Sequence, residues 1–187
     1  WISFLESDDL WACNTLEKRL ACAEKYPQVG IIFNDVEEFG DEKWLLAVKK
    51  NFERARKILG KKTFPKNIFY DINVHNLILT FSSVMIKREF FKNLNFETPI
   101  DSLLDWWIYI HIAHQTEAYY LKDKLTKWRQ HRGSYIMRKK KSHFKMANIQ
   151  AYIDVYKTQK FGIAFLPFLV ISILGMLFSR AKFYNIV

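Results

Sequence analysis

The residue types best suited to chemistry in this chain fall in three places. Glu6-Ser7-Asp8-Asp9 closes an apolar run, Trp1-Ile2-Ser3-Phe4-Leu5; Asp105 stands in Ser102-Leu103-Leu104-Asp105; and Arg129-Gln130-His131 follows an aromatic stretch. An acidic cluster at the carboxyl end of a strand is where an open α/β sheet places its ligands. Its hard oxygen donors suit Mg²⁺ or Mn²⁺ better than soft metals. Each feature also has an ordinary reading. The acidic turn is a polar strand end with Asp9 capping the next helix, Asp105 completes a capping box, and His131 is a surface histidine between Arg129 and Arg132. His111 and His114 read as packing or solvent-facing residues and receive no role.

The elements that must position these residues follow from periodicity. Leu16, Leu20, Ala21 and Ala23 fit a helix ending near Pro27, and Val29-Gly30-Ile31-Ile32-Phe33 reads as a short strand. Trp44, Leu45, Val48, Phe52, Ala55 and Leu59 recur at helical spacing between Asp41 and Gly60. Residues 61–76 are ambiguous, with a short helix after Pro65. Leu77 to Ile86 reads as a strand and Lys87-Arg88-Glu89 as the opening of a short helix. A further helix is expected from Ile100 to His114. Ala118–Leu121 and Leu125–Arg129 read as two short strands joined by a charged turn, and a basic helix is expected over Lys139 to Tyr156.

Half the chain is apolar and aromatics are plentiful, which excludes a disordered chain. The net charge of +10 is segregated: residues 1–60 carry nine Lys/Arg against eleven Asp/Glu, and residues 61–187 carry twenty against eight. The basic excess, densest at Arg138-Lys139-Lys140-Lys141, favours phosphate-bearing partners such as anionic lipid, nucleic acid or a nucleotide. Cys13 and Cys22, placed on one helix, would stand about 13 Å apart, too far for a disulfide. Two unpaired thiols point to a reducing compartment. There is no zinc-type Cys/His spacing, GxGxxG, phosphate loop or GxSxG.

Phe161 to Phe178 is uncharged over eighteen residues, with Lys157, Lys160, Arg180 and Lys182 as flanks and Tyr156 and Tyr184 near its ends. That length reaches the lower edge of a bilayer span, and such flanks suit interfacial anchoring. A spanning helix, an interfacial helix and a buried core helix all fit the pattern.

Four stretches, taken in order, resemble family 2 glycosyltransferases of GT-A fold. Phe4-Leu5-Glu6-Ser7-Asp8-Asp9-Leu10-Trp11 with Leu16-Glu17-Lys18-Arg19-Leu20 resembles their metal-site strand and following helix. Ser82-Ser83-Val84-Met85-Ile86-Lys87-Arg88-Glu89 resembles their acceptor-side strand, and Ile100 to Ala113, with Asp105-Trp106-Trp107, the segment of their catalytic base. Leu125-Thr126-Lys127-Trp128-Arg129-Gln130-His131 resembles their later aromatic-Arg-x-His element. Two positions depart from the pattern: Glu6 stands where Asp is commoner, and Leu104 where a Glu precedes the base.

The resemblance covers about residues 1–135. It implies an α/β fold: the carboxyl-terminal half of a Rossmann-like GT-A domain, a mixed sheet with flanking helices, followed over 136–187 by the basic helix and the apolar helix of 161–178. It implies an inverting transfer of a sugar from a nucleotide-diphosphate donor to a saccharide or lipid-linked acceptor, in surface polysaccharide or glycolipid synthesis. It assigns Asp105 as general base and Asp8 and His131 as ligands of Mn²⁺ or Mg²⁺. Glu6, Asp8, Asp9 and Arg129 become donor contacts, and Trp11 and Trp106 acceptor contacts. A base in the first turn of a helix would be expected to keep a low pKa. The donor-binding amino-terminal half would be missing and the fragment inactive alone. Residues 139–182 would hold it, peripheral or anchored, at the cytoplasmic side of a membrane. The competing function is a non-catalytic basic module docking on membrane or nucleic acid; without a nucleic-acid motif or an aromatic-studded basic groove, nucleic acid is the weaker of those two partners.

Overall fold

A computed structural model describes residues 1–96 and 103–134, together with Ala147, residues 149–151, Ile153, Asp154, Lys157, Leu166, Pro167, Val170, Ile171 and Leu174. The chain is mixed α/β. Strands β1 (Ile2–Ser3), β2 (Leu10–Trp11), β3 (Val29–Gly40), β4 (Val84–Ile86) and β5 (Glu117–Gln130) form one sheet in the order β1-β4-β3-β5-β2. Pairing is antiparallel except between β3 and β5, which run parallel. Helices α1 (Thr15–Lys25), α2 (Glu42–Leu59), α3 (Phe69–Val74) and α4 (Leu104–Ala113) flank it.

The expected helix over Asp41 to Gly60 is α2, capped by those two residues. Val48, Phe52, Ala55 and Leu59 form its buried face. Glu42 in the first turn and Arg56 and Lys57 in the last complement its dipole. The Arg56 Nε reaches both carboxylate oxygens of Asp35 at 3.0 Å, binding α2 to β3.

Elsewhere side-chain hydroxyls and charges move the boundaries. The apolar run at the start contributes only Ile2–Ser3 to the sheet. The face of α1 that is buried holds Thr15, Arg19, Cys22 and Ala23, while Leu16, Leu20 and Ala21 are exposed. The helix is rotated so that Arg19 reaches buried acceptors. Strand β3 continues through Asn34-Asp35-Val36 to Gly40, well past Phe33, because β5 pairs with its whole length.

The two expected strands after Ala118 are one strand, β5. Its register against β3 jumps from Asn34–Leu121 to Asp35–Lys124, so Lys122 and Asp123 bulge out instead of forming a turn. Of the strand expected over Leu77 to Ile86, only Val84–Ile86 pairs. The Thr80 hydroxyl accepts from Ser82 N–H at 3.3 Å, and Ser83 Oγ donates to Thr80 C=O at 2.8 Å. These local bonds hold Phe81–Ser83 as a 3₁₀ turn. A second 3₁₀ turn spans Arg88–Asn93, where a short helix was expected.

The main core gathers Ile31, Phe33, Ile68, Phe69, Val84, Ile86 and Trp107 between the sheet and the helices α3 and α4. Ala151 joins that core, and Trp107 Nε1 donates to Asp154 Oδ2 at 2.7 Å, so this later helical segment packs on α4. The expected start of α4 at 100–102, including Ser102 as its cap, lies outside the described residues. So do most of the basic helix over 139–156 and most of the apolar segment 161–178. Leu166, Val170, Ile171 and Leu174 are helical and exposed. Among the described residues no helix is long and apolar enough to cross a membrane.

Candidate functional site

Glu6-Ser7-Asp8-Asp9 forms a turn closed by Asp9 N–H donating to Glu6 C=O at 3.1 Å. Asp9 does not cap α1, whose N-cap is Asn14. It is buried, and its carboxylate accepts from the backbone N–H of Arg129 at 3.0 Å and from Thr80 Oγ1 at 3.2 Å. The same Thr80 hydroxyl lies 2.7 Å from Glu6 Oε2, and Glu6 N–H donates to Ser82 Oγ at 2.9 Å. The acidic turn is thus clamped between the 3₁₀ turn before β4 and the end of β5.

Asp8, half-exposed, takes the other side of the turn. Its Oδ2 lies 2.9 Å from His131 Nε2, and its carbonyl accepts from Arg129 Nε at 3.0 Å. Gly133 N–H points at His131 Nδ1 at 3.1 Å, which holds the ring with Nε2 toward Asp8. A Cβ on Gly133 would stand 2.9 Å from His131 Nδ1, so a larger residue there would displace the ring. Arg129 also spreads its guanidinium over the Phe39 ring, 4.5 Å from the centroid.

Asp105 enters from the first turn of α4. Burial raises the Glu6 pKa most; the Thr80 hydroxyl pulls it down, and the charges of Asp9, Asp105 and Asp8 add to the rise. Asp9 is likewise raised, mainly by burial. The expectation of a low pKa for Asp105 is overturned: burial lifts it above the ordinary 3.8, and the amides of Trp106 and of Asp105 itself only partly offset that. The cap of α4 is Leu103, in the left-handed region at φ 58°, ψ 32°. Its side chain offers no hydrogen-bond cap.

Glu6, Asp8, Asp9, Arg129 and His131 therefore meet around one turn, and the charge of Asp105 reaches Glu6. Trp11 lies beside them, its Nε1 donating to Ser82 C=O at 2.8 Å. Trp106 does not join this group through its indole N–H, which donates to Ile72 C=O on α3 at 3.2 Å. His111 is buried, with Nδ1 2.8 Å from Trp107 C=O, in keeping with a packing residue.

Beneath the turn lies a polar layer that the pattern of residues did not reveal. Arg19 is 0% exposed, and burial lowers its pKa to about 10. Its Nη2 donates to Asn34 Oδ1 at 2.6 Å and to Ser82 C=O at 2.9 Å, and its Nη1 to Ser3 Oγ at 2.6 Å. Asn34 Nδ2 donates onward to Thr126 Oγ1 at 3.1 Å. This layer joins α1, β1, β3, the 3₁₀ turn before β4, and β5 under the acidic cluster. The one signal available in advance was Ser82-Ser83 inside an otherwise apolar stretch.

Asp8 and His131 offer one hard oxygen and one imidazole nitrogen, each half-exposed. Among the described residues no group of three or more His, Cys, Asp or Glu side chains is arranged to hold a metal ion. The pair suits a divalent ion whose remaining ligands are phosphate and water oxygens, as is usual for Mg²⁺. No protein-family model matches the chain, and no curated protein or solved structure matches it.

Proposed function

We propose that this chain carries the metal edge and acceptor half of an inverting, GT-A-type glycosyltransferase similar to family 2. The observation that carries this reading is the meeting of Asp8 with His131, 123 positions apart, on a turn whose Glu6 and Asp9 carboxylates are held by Thr80 and whose Glu6 feels the charge of Asp105. Asp8 and His131 hold Mn²⁺ or Mg²⁺ together with the donor diphosphate, and Arg129 offsets phosphate charge. The bound ion supplies neutralisation of the departing diphosphate. Glu6 and Asp9 fix the turn that presents Asp8.

Asp105 takes the proton of the acceptor hydroxyl as that oxygen attacks the anomeric carbon. A raised pKa makes it a stronger base than an ordinary aspartate, at the cost of needing a pH above its shifted value. Trp11 and Trp106 are assigned to the acceptor side. The contact of Asp154 with Trp107 supports coupling of α4 to the segment 139–182, which we assign to the cytoplasmic face of a membrane.

The test is metal binding. Mn²⁺ added with UDP or GDP to the full-length gene product should broaden the amide resonances of Asp8, His131 and Gly133 and leave distant ones sharp. Broadening that spares these residues, or that survives Asp8→Asn, contradicts the assignment.

A further inference from the structure

Tyr109 stands one helical turn after Asp105, so both lie on one face of α4. It is 2% exposed. Its ring packs edge-on against Phe81, with centroids 6.1 Å apart, in the same 3₁₀ turn that holds Ser82. Among the described residues its buried hydroxyl has no hydrogen-bond partner. The charges of Asp105, Glu6 and Arg19 all reach it. A buried phenol in that position calls for an explanation, because such groups are nearly always paired.

We propose that Tyr109 is the acceptor-orienting group of this site, its O–H donating to the oxygen of a neutral sugar hydroxyl whose own proton points at Asp105. This rests on the reading of Asp105 as base. The acceptor oxygen has two lone pairs: one accepts from Tyr109 and the other forms the bond to the anomeric carbon. The bond from that carbon to the diphosphate oxygen breaks with its electron pair, and the acceptor proton passes to the Asp105 carboxylate. Burial and the neighbouring carboxylates hold the phenol protonated, so it serves only as a donor. Glu6, Asp9 and Asp105 together repel an acceptor whose reacting oxygen belongs to a phosphate.

The experiment uses full-length gene product carrying carbon-13 at tyrosine Cζ, with the Tyr109 signal identified by its loss in Tyr109→Phe. Octyl glucoside, octyl galactoside, octyl N-acetylglucosaminide and dodecyl phosphate are titrated in the presence of UDP and Mn²⁺. The Tyr109 signal should move with at least one glycoside and not with dodecyl phosphate. A signal unmoved by every glycoside, or moved by dodecyl phosphate, overturns the proposal. Tyr109→Phe should also melt no lower than the unaltered protein, while kcat/KM for transfer to the glycoside falls about tenfold, mainly through KM. Loss of transfer in Asp105→Asn with unchanged kcat/KM in Tyr109→Phe sinks the role of Tyr109 alone. Retained transfer in Asp105→Asn sinks the base itself.

Discussion

His131 Nε2 and Asp8 Oδ2 lie 2.9 Å apart although 123 positions separate them, and the glycine two residues after the histidine sets the ring. Gly133 N–H points at Nδ1 at 3.1 Å, which holds the ring with Nε2 toward Asp8. The backbone of Arg129 is held in turn by Asp9 at 3.0 Å. The end of β5 and the acidic turn are therefore one unit, built from residues 6–9 and 129–133.

Gly133→Ala tests that unit with the fold left intact. Its Cβ would stand 2.9 Å from Nδ1 and 3.0 Å from Cε1 of His131, so the ring must turn away from Asp8. Displacing a group that orients a metal ligand weakens metal binding about 10–100-fold. Calorimetric titration of Mn²⁺ with UDP should show that loss, with an unchanged melting temperature.

Asp105 links stability to pH. Burial raises its folded pKa above the ordinary 3.8, so the native state holds the proton more tightly than the unfolded one. The stability this group contributes is present below 3.8 and is lost as pH rises through the shifted value. Asp105→Asn should therefore raise the melting temperature at neutral pH. The gain should vanish as melts are taken toward pH 3.8. An equal gain at every pH would mean that the charge is not its source.

Helix α2 was legible because six apolar side chains recur at helical spacing between a capping Asp41 and Gly60. Strand β3 was legible only to Phe33: beyond it Asn34, Asp35, Glu37 and Glu38 end the apolar run, and long pairing with β5 makes them strand. Leu77 to Thr80 has the composition of a strand, yet the Thr80 and Ser83 hydroxyls satisfy the local backbone and form a turn. The acidic turn, Asp105 and the Arg129–His131 element were found by residue type and order. Arg19 and Tyr109 were not. Each occupies a position that an apolar residue would fill equally well in the pattern, and only three-dimensional packing places them under the carboxylates.

Arg19 holds that hidden layer together. A lysine in its place keeps the charge but loses the planar fork that reaches Ser3, Asn34 and Ser82 at once. Leaving those buried acceptors unpaired costs about 2–3 kcal/mol, which urea denaturation of Arg19→Lys should report.

Gly40 ends β3 at φ 121°, and a Cβ there would stand 2.2 Å from the Gln130 carbonyl oxygen, which accepts from Asp41 N–H at 2.9 Å. No flexible side chain can yield, because the obstacle is backbone. Gly40→Ala should lose about 3 kcal/mol or more in urea unfolding and disturb the Asp8 and His131 resonances as the end of β5 shifts.

The central claim is that Asp105 removes the acceptor proton during sugar transfer. It is tested most directly by the rate at which the full-length gene product releases nucleoside diphosphate from UDP- and GDP-sugars in the presence of Mn²⁺ and octyl glycosides. Asp105→Asn should lower that rate by about two orders of magnitude or more, while UDP or GDP binding stays the same. An Asp105→Asn protein that turns over at the unaltered rate would contradict the account.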